Sequence, residues 1–181
     1  MKHNLIQPRQ RILEVAFRLF HTQGYNSTGI NQIIDEAAVA KSSLYQHFKS
    51  KEELAIEYLN IRHNYWFDKL KSFSDIEKES KKKILCAFDF IYDMNEKENF
   101  RGCGFLNMLS EIPADNLNIL SVIQNHKKEL QNFFKDNLGK ENDLLSDHIY
   151  LLFESAIIES QLFRSNWFVE RAKNIVQTLI K

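Results

Sequence analysis

Apolar positions recur along this chain at helical spacing from end to end. After Pro8, which suits a first helical turn, Ile12, Val15, Ala16, Leu19 and Phe20 follow at i, i+3, i+4, i+7 and i+8 until Gly24 ends the pattern. Thr28 is placed to cap a short second helix carrying Ile30, Ile33, Ile34 and Ala37 on one face. After only Ala38, Val39 and Ala40, a third short helix opens at Lys41. Ser50 and Glu53 read as a capping box for a long fourth helix that carries Leu54, Tyr58, Ile61 and Tyr65 toward Ser72. Two short helices across a tight turn, backed by a longer one, predict a helix-turn-helix.

The remaining pattern is longer in period and still helical. Ser74 to Asn95 reads as a helix with Ile84, Phe88, Ile91 and Tyr92 on one side, broken by the RGCGF stretch. A short helix from Phe105 to Glu111 stops before Pro113, and Asn116 to Leu138 is closed by Gly139. Asp143 to Arg164 carries two apolar stripes, Leu144, Leu151, Ser155, Ile158 and Leu162 on one, and Leu145, Ile149, Phe153, Ala156 and Ser160 on the other. A helix apolar on two sides needs two partners. The last helix, Trp167 to Ile180, sets Phe168, Ala172, Ile175, Val176 and Leu179 on one stripe. The expectation is an all-α chain of about nine helices: a DNA-binding head over residues 1–50 and a helical body over 51–181, with no repeat or interdomain linker.

Composition agrees and adds one asymmetry. Only 5 Gly and 2 Pro interrupt the chain of 181 residues, and 44% of it is apolar, ample for a buried core. The formal charge is zero, yet residues 1–51 hold seven Lys and Arg against three acids, so a basic head sits on an acidic body. That distribution assigns any polyanion to the head. The opening MKHNLIQPRQ lacks the apolar run of a signal peptide, and no later run reaches membrane-spanning length, so a cytoplasmic protein with no membrane partner is expected. Cys86 and Cys103 are too few for a disulfide framework and lack metal-ligand spacing, and both are expected as reduced thiols. No cofactor and no metal are expected.

Chemistry concentrates in the third helix. At 100° per residue, Leu44 and Phe48 point one way, while Ser42, Tyr45, Gln46 and Lys49 gather opposite, flanked by Ser43 and His47. Such a face is either solvated surface or a reader of polar groups. Gln pairs bidentately with adenine, Ser and Tyr donate to bases or phosphates, and Lys neutralises phosphate.

The run RQRILEVAFRLFHTQGYNSTGINQIIDEAAVAKSSLYQHFKSKEEL resembles the DNA-binding head of the TetR family of bacterial repressors, through its Ile-Leu, Leu-Phe, Gly-Tyr, Ala-x-Val, Ser-Leu-Tyr-x-His-Phe and Lys-Glu-x-Leu elements. The resemblance implies an all-helical homodimer whose head binds double-stranded, palindromic operator DNA and whose divergent body binds a small-molecule effector and dimerises. By motif position it implies Lys41, Ser42, Ser43, Tyr45, Gln46 and His47 as recognition-helix contacts. Thr28 and Asn31 would start the supporting helix, and Lys51 would start the fourth helix near phosphates. One departure is Ala38, where the family commonly has Gly; a left-handed residue with a Cβ costs roughly 1 kcal/mol.

The body shows no nucleophile elbow, phosphate loop or metal-ligand spacing, which speaks against an enzyme. His126 and His148 are isolated. Phe88, Tyr92, Phe105, Met108 and Phe153 are candidates for an apolar effector pocket within a common aromatic core that would also include Phe133 and Phe134. Cys103 in RGCGFLNMLSE joins them: some regulators resembling this family carry a Cys here followed by Asn and Glu, and Arg101 and a helix start beside it would lower its pKa. Leu151, Ser155, Ile158, Leu162, Phe168 and Ile175 are the candidate dimer interface. The sequence reading is a ligand-responsive DNA-binding regulator, a repressor; the alternatives are a small-molecule-binding helical protein and a DNA-binding adaptor controlled by a protein partner.

Overall fold

The computed structural model describes residues 7–180; the first six residues, on which the signal-peptide reading partly rests, and Lys181 lie outside the described residues. Every regular element among the described residues is helical. In chain order they are α1 (Pro8–Gln23), α2 (Ile30–Ala37), α3 (Lys41–His47), α4 (Lys51–Ser74), α5 (Ser80–Lys97), α6 (Gly104–Leu109), α7 (Leu117–Leu138), a 3₁₀ turn (Lys140–Asn142), α8 (Asp143–Phe163) and α9 (Trp167–Leu179). None of these helices is long and apolar enough to cross a membrane. Packing divides the chain into two units: one runs to His63 and takes in Gly104–Ile123, the other comprises Asn64–Cys103 and the chain from Gln124 onward.

The first unit is built on α1, whose Ile12, Leu13, Ala16, Leu19 and Phe20 are buried. Phe17 and Phe20 of that helix close edge-on over Tyr58 of α4, with ring centroids 5.3 and 5.6 Å apart. Gly24 ends α1 at φ 91°, outside the range a side chain tolerates well. Ile33, Ile34 and Ala37 of α2, with Leu44 of α3 and the adjoining Phe48, complete the core. The turn between α2 and α3 is left-handed at Ala38 (φ 50°, ψ 51°), and it is held by bonds from the Ala38 and Val39 amides to Asp35 and Ile34 carbonyls and from Arg11 to the Ala38 carbonyl. The expected strain at this alanine is therefore present, and three hydrogen bonds oppose it.

Two head details differ from expectation. Thr28 does not cap α2: Gly29 occupies the cap position without a side-chain bond, and the buried Thr28 hydroxyl donates back to the Gly24 carbonyl at 2.7 Å. The capping box at α4 forms with a shift of one residue. Ser50 Oγ accepts from the Glu53 amide at 3.1 Å, but the Glu53 carboxylate reaches the Lys49 amide at 2.7 Å. Along α4 itself the buried line is Leu54, Tyr58, Arg62, Trp66 and Leu70, whereas Ile61 and Tyr65 face outward. A spacing of four drifts around a long helix, so the inward stripe rotates away from the two positions that a spacing of three selects.

The second unit packs aromatic rings from four helices. Phe88 and Phe134 each stand edge-on to Phe153 with centroids 5.3 Å apart, and Trp66 meets Phe90 at 4.9 Å. Phe133 packs against this core partly buried, while Phe105 belongs to the first unit and not to a core shared with these rings. His126 is buried against the Trp66 and Phe67 rings. Helix α4 continues to Ser74 and α5 begins only at Ser80, so the expected helix start at 74 falls in the end of the preceding one. Asn116 caps α7 by accepting the Ile119 amide at 3.0 Å. A buried polar group, Asn95 donating to Ser160 Oγ and Asn166 Oδ1 at 2.9 Å each, ties the end of α5 to the α8–α9 corner.

Candidate nucleic-acid interface

Helix α3 is fixed by the side it buries. Leu44 and Phe48 are 0% and 2% exposed, the Phe48 amide closes the helix on the Leu44 carbonyl at 2.9 Å, and the Arg9 guanidinium lies 5.3 Å over the Phe48 ring. That anchoring leaves Lys41, Ser42, Tyr45, Gln46, His47 and Lys49 exposed and Ser43 half-buried. Asn31, at the start of α2, is exposed as well. Among the described residues, none of these eight side chains makes a hydrogen bond or ion pair within the chain.

Polar side chains on the neighbouring surfaces behave differently. Arg9 pairs with Glu57 at 2.7 Å, Arg18 with Glu36, and Gln32 bridges Gln23 and Glu36. The Arg18 and Gln32 hydrogen bonds hold the Glu36 carboxyl below the usual carboxylate range. Of the exposed basic residues described in the head, Lys41 and Lys49 therefore present charge that no acid in the described chain has claimed.

Two further features flank α3. The first amides of α2 lack a side-chain cap, since Gly29 supplies none, and unclaimed amides at a helix start favour anions. Lys51, at the start of α4, is half-buried with its ammonium 4.2 Å over the Tyr25 ring. Burial pulls the Lys51 pKa below the ordinary lysine value, and the Glu111 charge acts the other way. Burial, and then Glu52, pushes the Tyr25 phenol up. Of the nine residues the sequence assigned to DNA, the structure exposes or half-exposes eight around α3 and the helix starts, and buries Thr28.

The candidate effector residues are distributed over both units. Phe88 and Phe153 meet in the second core, whereas Phe105 and Met108 are buried in the first unit. Tyr92, expected inside, is exposed on α5, because Phe88 and Ile91 take the inward positions and Tyr92 falls one step beyond them. Cys103 is partly buried with the Lys127 ammonium 3.5 Å from its sulfur. The charged neighbour is thus a lysine 24 residues away, a contact with no local signature.

Lys127 is clamped by both oxygens of Glu154 at 2.6 and 2.8 Å, with each side chain 13% exposed. Burial alone would lower its pKa, but Cys103 and Glu154 together hold it above the ordinary lysine value. Burial pushes the Cys86 thiol up, with Asp89 adding to the shift.

The two stripes of α8 separate as expected: Ile149, Phe153, Ala156 and Ser160 are buried, while Leu151, Ile158 and Leu162 remain 62%, 48% and 68% exposed and Ser155 lies among them. The α9 stripe divides. Ala172 and Val176 turn inward beside Val169, leaving Phe168 half-buried and Ile175 and Leu179 outward. Phe163 and Trp167, which the sequence reading passed over, join this outer face, each packed on the Phe168 ring with centroids 5.0 and 4.9 Å away.

Comparison with known proteins bears on the head first. The family described as "Bacterial regulatory proteins, tetR family" matches residues 12–58. The transcriptional regulator LmrA of Bacillus subtilis is 53% identical over 58 residues, 32% of this chain and 31% of that protein, so the chain spans under a third of that relative. The negative transcriptional regulator IcaR of the biofilm operon icaADBC, from Staphylococcus epidermidis, is 26% identical over 88% of this chain and 82% of its own. In fold, the crystal structure of SCO4454, a TetR-family transcriptional regulator from Streptomyces coelicolor, superposes with a TM-score of 0.88 at 23% identity, covering 98% of this chain and 90% of that one. Residues 12–58 thus match the helix-turn-helix of the TetR family of bacterial regulatory proteins, and the chain shares the helical fold of SCO4454 over nearly its full length.

Proposed function

We propose that the protein is a cytoplasmic repressor that binds a palindromic operator as a homodimer and is released by a small-molecule effector. Residues 1–50, joined by Lys51 at the start of α4, supply the DNA contacts, and the rest of residues 51–181 supply dimerisation and the effector response. The observation that carries the DNA part is the row of unclaimed side chains on α3, with Leu44 and Phe48 buried behind it. Gln46 stands centrally on that face and reads a base edge; Lys41, Ser42, Ser43, Tyr45 and His47 flank it. Asn31, the α2 amides and Lys51 hold phosphates, and the buried Thr28 contributes by fixing the turn before α2.

The homodimer reading is supported by the exposed Leu151, Ile158, Leu162, Phe168 and Ile175, which water penalises until a second copy covers them. Effector binding lowers operator affinity only by the difference in its affinity for the DNA-binding and released states. Cys103, Phe88 and Phe153 remain the candidate effector contacts of the second unit, and Phe105 and Met108 those of the first. Selection from random duplex DNA with the purified protein tests the proposal. It should enrich an inverted repeat with half-sites about one helical turn or a multiple apart. Enrichment of a single unrepeated site, or of none, would contradict it.

A further inference from the structure

One contact of the head comes from outside the helix-turn-helix. Glu111 lies in the turn after α6, where its amide still bonds the Met108 carbonyl at 3.0 Å. Its carboxylate accepts the backbone amide of Asn26 at 2.6 Å, and its backbone carbonyl accepts the Asn26 side-chain amide at 2.9 Å. Asn26 belongs to the turn joining α1 to α2. In the same turn, a Cβ on Gly24 would collide with the Glu111 carboxylate, so the glycine clears the space this acid fills.

The other end of α6 is braced too. A Cβ on Gly104 would stand 3.1 Å from the Tyr58 hydroxyl, and Phe105 and Met108 between the two ends are buried. Further along, Glu52 in the first turn of α4 accepts the side-chain amides of Asn116 and Asn118 at 3.1 and 2.8 Å. The segment 111–118 is thereby tied at two places, beside the start of α2 and beside the start of α4. Those are the two phosphate-holding positions of the proposed interface. Tyr25, next to Asn26, carries Lys51 on its ring, so the turn that Glu111 fixes also carries this cation.

We propose that Glu111 is a positioning residue for DNA binding: its carboxylate sets the α1–α2 turn, and through it the start of α2 and Lys51, in the placement that meets the phosphate backbone. The role rests on the DNA-binding reading given above. Electrostatics gives it a sharp sign. An acid close to a phosphate-binding lysine opposes DNA, so if Glu111 acted only through its charge, removing it would tighten binding. If it positions, removal weakens binding in spite of the lost repulsion.

The test uses the full-length protein, a duplex recovered by selection from random DNA, and a random-sequence duplex of equal length, titrated at several salt concentrations. Glu111→Ala should weaken both duplexes roughly tenfold, the scale of one hydrogen bond to a charged group. It should also flatten the salt dependence by about one to two counterions per dimer, which a loss of stability far below the unfolding temperature would not do. Glu111→Gln keeps an acceptor oxygen and drops the charge, so its binding should equal or exceed wild type. Hydrogen exchange at the Asn26 amide should speed up in Glu111→Ala and stay slow in Glu111→Gln. Should Glu111→Ala fail to fold, Asn26→Ala, which removes only the side-chain half of the clamp, should still weaken both duplexes several-fold. Wild-type or tighter binding by the alanine variants overturns the role. A wild type that binds neither duplex overturns the DNA-binding reading itself, a result distinct from variants that match a wild type which binds.

Discussion

In α3, Leu44 and Phe48 are turned inward and the face left outside is Tyr45, Gln46, His47 and their polar neighbours; in α8, Ile149, Phe153 and Ala156 are turned inward and the face left outside is Leu151, Ile158 and Leu162. Both helices are anchored by an apolar stripe at helical period, and they differ in what remains. Polar side chains outside cost nothing in water, because water satisfies them until a base or a phosphate does. Apolar side chains outside carry a standing penalty of about 25 cal/mol per Å² until something covers them. The first face can wait open, while the second favours association before any DNA is met. On the proposed reading, the order is dimer first and operator second.

The largest effect should come from breaking the apolar side of this contrast. Ile158→Glu places a carboxylate on the outer face of α8, where a symmetric contact would oppose like charges at a cost of several kcal/mol. Sedimentation at micromolar concentration should show a monomer with unchanged helical circular dichroism. A dimer under those conditions would move the interface elsewhere.

On the polar side, the matching experiment attacks what lies beneath the face. Leu44→Ala leaves a cavity behind α3 and should cost about 2–5 kcal/mol in denaturant unfolding of the head, with operator binding lost alongside. A cost below about 1 kcal/mol would mean that Leu44 does not anchor the helix. A smaller effect of opposite sign is expected at the turn that delivers α3. Ala38→Gly removes the Cβ strain at φ 50° and should stabilise the head by up to about 1 kcal/mol, read as a rise of a few degrees in its melting temperature.

These contrasts also show where sequence was informative. The period that buries Leu44 and Phe48 and the two stripes of α8 are local regularities, and local regularity is what a sequence displays. Thr28 shows the limit of a local rule. A threonine before a helix reads as a cap, but here its hydroxyl turns back to Gly24 while Gly29 takes the cap position. Ile61 and Tyr65 failed as core positions because the buried line on α4 advances by fours and turns around the helix. The clamps were invisible for a different reason. Glu111 meets Asn26 across 85 positions, and Lys127 meets Cys103 and Glu154 across 24 and 27. Pairings of that range arise only when the fold brings them together.

The central claim is that α3 reads bases while the helix starts beside it hold phosphates, and the most direct test separates the two. Binding of wild type, Gln46→Ala and Lys51→Ala is titrated on the selected duplex and on random duplex at several salt concentrations. The account predicts that Gln46→Ala loses about 1–3 kcal/mol on the selected duplex with little change on random DNA. Lys51→Ala should weaken both duplexes alike and flatten the salt dependence by about two counterions per dimer. Equal weakening of both duplexes by Gln46→Ala would contradict the assignment of α3 as the reading helix.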